Sequence, residues 1–418
     1  MTAPCRGGTR KMDYPKTTYR AVVLAVLLMP ASSPTFAGEF DLTAVVAGEA
    51  RLFPSEPAYS DQDNVTLSPS FSFQPSLYYD WNDGRDRLTF APFGRWDPGD
   101  ERRTHWDLRE ANWLHVGEGW DFVLGVGRVF WGVTESRHLV DIINQDDQVE
   151  DIDGEDKLGQ PMLNINLIRD WGRVSVFVLP GFRERTFPGN EARLRGPLPI
   201  IADDPVYTEG AGRHQFDFAA RWAHSIGNWD VGLAHFRGTG REPRLVQTLG
   251  SGGRSKFVPY YDQINQISLD LQLTRGAWLW KLEMMTRSGQ GPRFFAAVAG
   301  FEYTLFGLFG TPYDLGLLSE YLYDGRDNDK APFTAFEDDF FLGARLALND
   351  FQDTTALFGG VIDRETGGTA IFLEAERRIG ETWRIELEGR FFSNVSNLDP
   401  LSYIHRDDHI TFRLSKYF

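Results

Sequence analysis

The stretch Ile267-Ser-Leu-Asp-Leu-Gln-Leu-Thr274 decides the fold. Ile267, Leu269, Leu271 and Leu273 alternate strictly with Ser268, Asp270, Gln272 and Thr274. Successive side chains of a strand point to opposite faces, so a period of two makes one face apolar and the other polar. Arg384-Ile-Glu-Leu-Glu-Gly-Arg390 does the same, with Arg384, Glu386, Glu388 and Arg390 on one face and Ile385, Leu387 and Gly389 on the other. His409-Ile-Thr-Phe-Arg-Leu-Ser-Lys-Tyr-Phe418 carries the alternation to the last residue.

Extending this reading along the chain predicts strands at about 39–53, 66–81, 86–95, 104–115, 120–130, 161–169, 174–183, 213–224, 229–238, 258–274, 278–287, 293–306, 313–323, 338–348, 354–364, 369–379, 383–393 and 407–418. That makes eighteen, with sixteen as the alternative count. Arg244–Thr248 reads as a further short strand, compatible with an even count only inside a loop.

The connections sort by parity. Every even-to-odd connection is tight, as in Asn82-Asp-Gly-Arg85, Arg275-Gly-Ala277 and Gly380-Glu-Thr382. Most odd-to-even connections are long and polar, among them 131–160, 184–212 and 239–257, with short exceptions at 288–292 and 365–368. A soluble sandwich has no reason to sort its turns this way. A bacterial outer-membrane barrel does, with short periplasmic turns, long extracellular loops and an even strand number. Trp81, Trp120, Trp171, Trp229, Trp278, Trp280 and Trp383 all lie beside the tight turns, where an aromatic belt would meet the membrane boundary. The expected fold is therefore all-β: a closed antiparallel transmembrane barrel over residues 38–418, in the outer membrane of a Gram-negative bacterium.

Residues 1–37 read as a secretory signal. Arg6, Arg10, Lys11, Lys16 and Arg20 precede the apolar Ala21–Met29, and Thr35-Phe-Ala37 supplies a small-x-small cleavage site. Nine apolar residues are too few for a spanning helix, which needs about 20. Beyond them the longest apolar run, Phe294–Phe301, has eight. The net charge of −16 argues against nucleic acid as a partner. The single Cys5 excludes an internal disulfide framework and a Cys-rich metal site.

The last strand ends on Tyr417-Phe418, with Ile410, Phe412 and Leu414 alternating before it. This resembles the terminal insertion signal of Gram-negative outer-membrane barrels. Gly127-Arg-Val-Phe-Trp-Gly132, followed by Asp141-Ile-Ile-Asn144, resembles poorly characterised proteobacterial porin-like proteins and, more loosely, alginate-export-type barrels. The resemblance implies transport across the outer membrane and names no solute. It also implies outer-membrane lipid, lipopolysaccharide and the barrel-assembly machinery as partners, and leaves oligomerisation open.

With apolar faces toward lipid, Asp217, Arg221, Asp270, Lys281, Glu283, Arg287, Glu302, Glu320, Arg345, Glu374, Glu376, Arg378, Arg384, Glu386, Glu388, Arg390 and Arg413 point into the lumen. Such charges would be prohibitive in a dry core and are tolerable in a wet one. In strand 104–115, Arg109 and Glu110 are adjacent, so one of them is expected to leave the lumen. Connection 131–160 is the third odd loop. In general porins that loop folds inward, so the resemblance suggests a constriction built from Glu135, Asp141, Asp146 and Asp147 against Arg345, Arg384 and Arg390.

Other chemistry is sparse. Asp151-Ile-Asp-Gly-Glu-Asp156 has an Asp-x-Asp-Gly look but not the twelve-residue spacing of a calcium loop. His405-Arg-Asp-Asp-His409 could ligate a metal, and reads more simply as loop polarity. There is no Gly-x-Ser-x-Gly elbow, and the eight His are scattered. The expectation is a channel for small polar or charged solutes, without cofactor or enzymatic activity. The alternatives are a barrel that sheaths or anchors a partner complex, and an outer-membrane enzyme with an extracellular site.

Overall fold

A computed structural model describes residues 38–250, 253–396 and 399–418. Residues 1–37, expected as a secretory signal, lie outside these. Eighteen antiparallel strands follow one another around a single sheet. The first, Gly38–Leu52, pairs on one side with Leu67–Trp81 and on the other with the last, His409–Tyr417, from Val45 opposite Tyr417 to Leu52 opposite Ile410. The sheet is thereby closed and has no free edge. In hydrocarbon, where an unpaired backbone group costs several kcal/mol, closure is what makes a sheet tolerable. Phe418 completes the seam, its N–H donating to the Ala44 carbonyl at 3.0 Å.

The turns carry the chemistry their geometry demands. Gly276 and Gly380 each take φ 62°, a left-handed conformation that glycine adopts without strain. Asn82 and Asp83, both at φ 55°, do the same work in the first tight turn. Trp120, Trp229, Trp278 and Trp383 open their strands, Trp81 closes one, and Trp171 sits in a turn, so the indoles ring the tight-turn end. Trp278 stacks on Trp280 with ring centroids 5.4 Å apart.

The barrel is inverted relative to a soluble protein. In Gln263–Arg275, Ile267 is 47% exposed, whereas Gln266, Ser268 and Asp270 are buried. In Trp278–Ser288, Trp280 is exposed while Glu283 has no exposed surface. On these strands the alternation is greasy outside and polar inside, whereas Phe177, Phe236, Phe294, Leu318, Leu322 and Phe341 are buried on inward faces of other strands.

Three details depart from the sequence reading. The expected strand 258–274 breaks at Asp262. Ser255–Tyr261 leaves the barrel to form a small outer sheet with Arg244–Leu249 and Val206–Tyr207, and the barrel strand begins at Gln263. Arg244 pins the corner by binding Asp262 at 2.6 Å, and the extra strand, lying in the loops, leaves the count at eighteen. Strand 120–130 stops at Gly127. Finally, neither Arg109 nor Glu110 leaves the lumen. Opposite Ala91 and Pro92 the register skips a residue, with Ala91 facing Glu110 and Pro92 facing Leu108. This bulge re-aims one side chain. Arg109 binds Asp147 at 2.7 Å and Glu110 binds Arg128 at 3.2 Å.

Candidate functional site: the inward-folded loop

The segment between Gly127 and Gln160 crosses the lumen. Its carbonyls and carboxylates are held by one arc of the wall. Arg103 donates to the Val149 carbonyl at 2.9 Å, Arg51 to the Glu150 carbonyl at 2.5 Å, Arg95 pairs with Glu150 at 2.6 Å, and Arg109 with Asp147 at 2.7 Å. Its N–H groups are held by the far arc. Glu283 accepts from the N–H groups of Val133, Thr134 and Val140 at 2.7, 3.1 and 3.1 Å and from the Thr134 hydroxyl at 2.8 Å. Glu320 accepts from the N–H groups of Glu135 and Ser136, both at 2.8 Å, and from the Ser136 hydroxyl at 2.6 Å. A carboxylate receiving backbone N–H groups makes charge-assisted bonds, about twice as strong as neutral ones.

Apolar packing seals a third side. Val140, Ile142 and Ile143 are buried with Trp131, Phe177, Phe236 and Ile264. Asn144 ties the loop's two ends together. Its side-chain amide donates to the carbonyls of Gly127 and Leu158 at 2.9 and 2.8 Å, and its oxygen accepts from Val129 N–H at 2.8 Å. Asp141-Ile-Ile-Asn144 is therefore the keel of the plug.

No family model matches this chain, and no curated protein matches it. Among solved structures, it is similar to a BenF-like porin from Pseudomonas fluorescens Pf-5, at 8% identity over 92% of this chain and 98% of that one, with a TM-score of 0.52. It is also similar to OccD3 (OpdP) of Pseudomonas aeruginosa, at 9% identity over 91% and 90% of the two chains, with a TM-score of 0.53. The barrel has a porin's fold.

On this porin-like wall the expected constriction residues separate into three groups. Glu135 and Arg345 meet across the lumen at 2.6 Å, and Lys281 approaches Glu135 at 3.5 Å. Asp147 and Arg390 also join loop to wall, Asp147 through Arg109 and Arg390 through Asp153 at 2.6 Å. Asp141 and Asp146 share Lys157 at 3.1 and 2.6 Å, and so serve the loop's own structure. Arg384 does not reach the loop. It lies one residue from the tight turn and pairs with Glu376 and Glu386.

The remaining lumen charges form ladders along the wall. Arg221 binds Asp270 at 2.6 Å, Asp217 binds Arg241 at 2.7 Å, and Arg287 binds Glu242 at 2.6 Å. Arg413 reaches Glu49 at 3.0 Å and Glu388 at 3.6 Å, Arg345 reaches Glu302 at 3.9 Å, and Arg378 pairs with Asp353. Glu374 has no salt bridge among the described residues. Asp151 and Asp153 both turn to Arg390, at 3.5 and 2.6 Å, and no cluster that could hold a metal occurs among the described residues. Asp407 is held by Arg193 at 2.9 Å, and His409 is buried against Phe53, so the 405–409 segment brings no shared site together.

Sequence reasoning missed the hub on which the loop hangs. Glu49 contacts Arg51, Arg95, Arg103 and Arg413 at 3.3, 3.3, 2.6 and 3.0 Å. Glu49 and Arg51 share the inward face of their strand, so the same alternation would have found them. The loop's charges respond to this crowding. Burial raises the Asp147 carboxyl, but its bonds to His105 and Arg109 win and hold it down at about 2. His138 is opposed by burial yet raised to about 10 by Glu155 and Glu283. Burial and the neighbouring Asp151 push Asp153 up to about 7.

What stays open lies between the loop and the strands Thr355–Asp363, Thr369–Ile379 and Trp383–Ser393. On the long-loop side is a cavity of about 430 Å³. On the tight-turn side is one of about 280 Å³, lined by Glu135, Arg345, Glu374, Glu376, Glu386 and Glu388.

Proposed function

We propose that this chain is a porin-type channel of a Gram-negative outer membrane, passing small polar or charged solutes through a lumen narrowed by loop 131–160. The observation that supports it is that this loop is bonded to opposite arcs of the wall, with one cavity on its long-loop side and a charged one, lined by Glu374, Glu376, Glu386 and Glu388, on its tight-turn side. The exposed apolar belt with its indole ring supports residence in a bilayer. Outer-membrane lipid, lipopolysaccharide and the assembly machinery are its partners on this reading. A barrel built to sheath a protein would need an unfilled lumen, and here the loop and its apolar packing take up that space.

Recording from purified protein in a planar bilayer tests the proposal. Discrete conductance steps are expected, and deleting residues 136–158 raises them. Folded protein without steps at any voltage defeats the channel reading. Steps unchanged by the deletion defeat the constriction.

A further inference from the structure

The inward faces of two strands change character partway along. On Thr369–Ile379 the inward residues run Glu376, Glu374, then Phe372. On Trp383–Ser393 they run Glu386, Glu388, Arg390, then Phe392. Phe372 and Phe392 belong to the cavity of about 430 Å³, together with Phe333, Phe336, Leu401 and Ile404. Phe372 stacks on Phe341 at 5.5 Å, which fixes its ring, and Phe333 is 57% exposed. Phe336 and Phe372 also pack on the buried cluster around Phe341, but Phe333 stays open, and a lumen that passes only hydrated polar solutes has no use for it. Apolar area left facing water is unfavourable, and a concave apolar surface beside a few polar groups is the usual form of a small-molecule site.

The charged groups that line the same cavity are internally compensated. Arg390 is bound to Asp153 at 2.6 Å, Lys157 to Asp146 at 2.6 Å, His138 to Glu155 at 3.0 Å and Arg287 to Glu242 at 2.6 Å. Such a wall offers donors and acceptors side by side without one dominant sign. It suits a neutral hydrogen-bonding head better than a lone ion.

We propose that the outer cavity is a binding site for neutral amphipathic solutes, whose apolar body lies on Phe333, Phe336, Phe372 and Phe392 while a hydroxyl-rich head meets Arg390, Glu155 and Lys157. This rests on the channel reading and names the solute class that its vestibule selects. Inward of this surface lie Glu374 and Glu388, which offer the apolar body no comparable contact.

The test compares phenyl β-D-glucoside with methyl β-D-glucoside. Equilibrium dialysis against detergent-solubilised protein reads binding without requiring conduction. Phenyl glucoside should bind about tenfold more tightly, the size expected for partial burial of one ring. Phe333→Ser and Phe392→Ser should each erase most of that difference. Heat-modifiable gel mobility checks that the variants fold, and Phe333→Ser, being at an exposed position, serves if Phe392→Ser does not. Equal affinities, or a preference that survives Phe333→Ser in folded protein, overturn the proposal. If the preference holds but the protein never conducts, the cavity assignment stands and the channel reading fails. If it conducts without the preference, the reverse holds.

Discussion

The two sides of the lumen are built on different principles. Around Glu49, Arg51, Arg95 and Arg103, the wall and loop are fused by ion pairs whose side chains are at most 8% exposed. Along Glu374, Glu376, Glu386 and Arg345, the charges line open space: Arg345 pairs with Glu135 and Glu376 with Arg384 at half-exposed positions, and Glu374 with no described residue. The first side resembles a protein core made of charges, where every group must be satisfied because an unpaired one is costly. The second resembles a wetted surface, where a charge is cheap and its field acts on whatever passes. The same inward-facing charged residues thus fasten the loop on one side and line a passage on the other.

Breaking the fused side should have the largest effect. Glu49→Ala removes the carboxylate shared by four guanidinium groups and is expected to destabilise the barrel by about 3–5 kcal/mol, the usual cost of breaking a buried charge cluster. The readout is the urea midpoint of gel-shift unfolding. Next comes Glu283→Ala, which orphans three N–H groups at about 1–3 kcal/mol each and should free the loop. Its conductance should rise toward that of the 136–158 deletion, and a conductance equal to the parent's would show that Glu283 is not a fastening point.

A pH experiment sharpens the comparison. His138 has its folded value raised from 6.5 to about 10. Its contribution to anchoring is therefore complete below about 6.5 and lost as pH rises through about 10. Conductance should step up near that pH, and His138→Asn should abolish the step. The smallest expected effect lies on the open side. Glu374→Gln should shift the reversal potential away from cation preference while changing stability by less than about 0.5 kcal/mol, as surface substitutions do.

The barrel was legible because inward and outward faces alternate at a period of two, and because tight and long connections differ in residues such as Gly276 and Gly380. The bulge at Arg109 was not, since it depends on Pro92 in the neighbouring strand, which has no N–H to give the ladder. The corner at Asp262 likewise depends on Arg244, eighteen residues away. Within the site, the sequence pointed to the acids of loop 131–160 and to Arg345 and Arg390, but not to Arg109, nor to the groups that hold the loop's backbone. Glu283 and Glu320 read only as charges lining the lumen. They bind the loop's backbone instead, which nothing short of the loop's path reveals. Arg384 illustrates the opposite error, an inward residue placed at the wrong height.

The account's central claim is that the loop lies across the lumen against the far wall. Cys5 is the only native cysteine, so in a Cys5→Ser background engineered thiols report cleanly. Ser136→Cys combined with Glu320→Cys replaces groups that bond at 2.6 Å. A short bifunctional thiol crosslinker, which spans the reach lost when Glu320 becomes Cys, should join them in the folded, membrane-inserted protein and block labelling by an impermeant maleimide. Two thiols that stay free and both label from the aqueous side would show the loop lying outside the barrel.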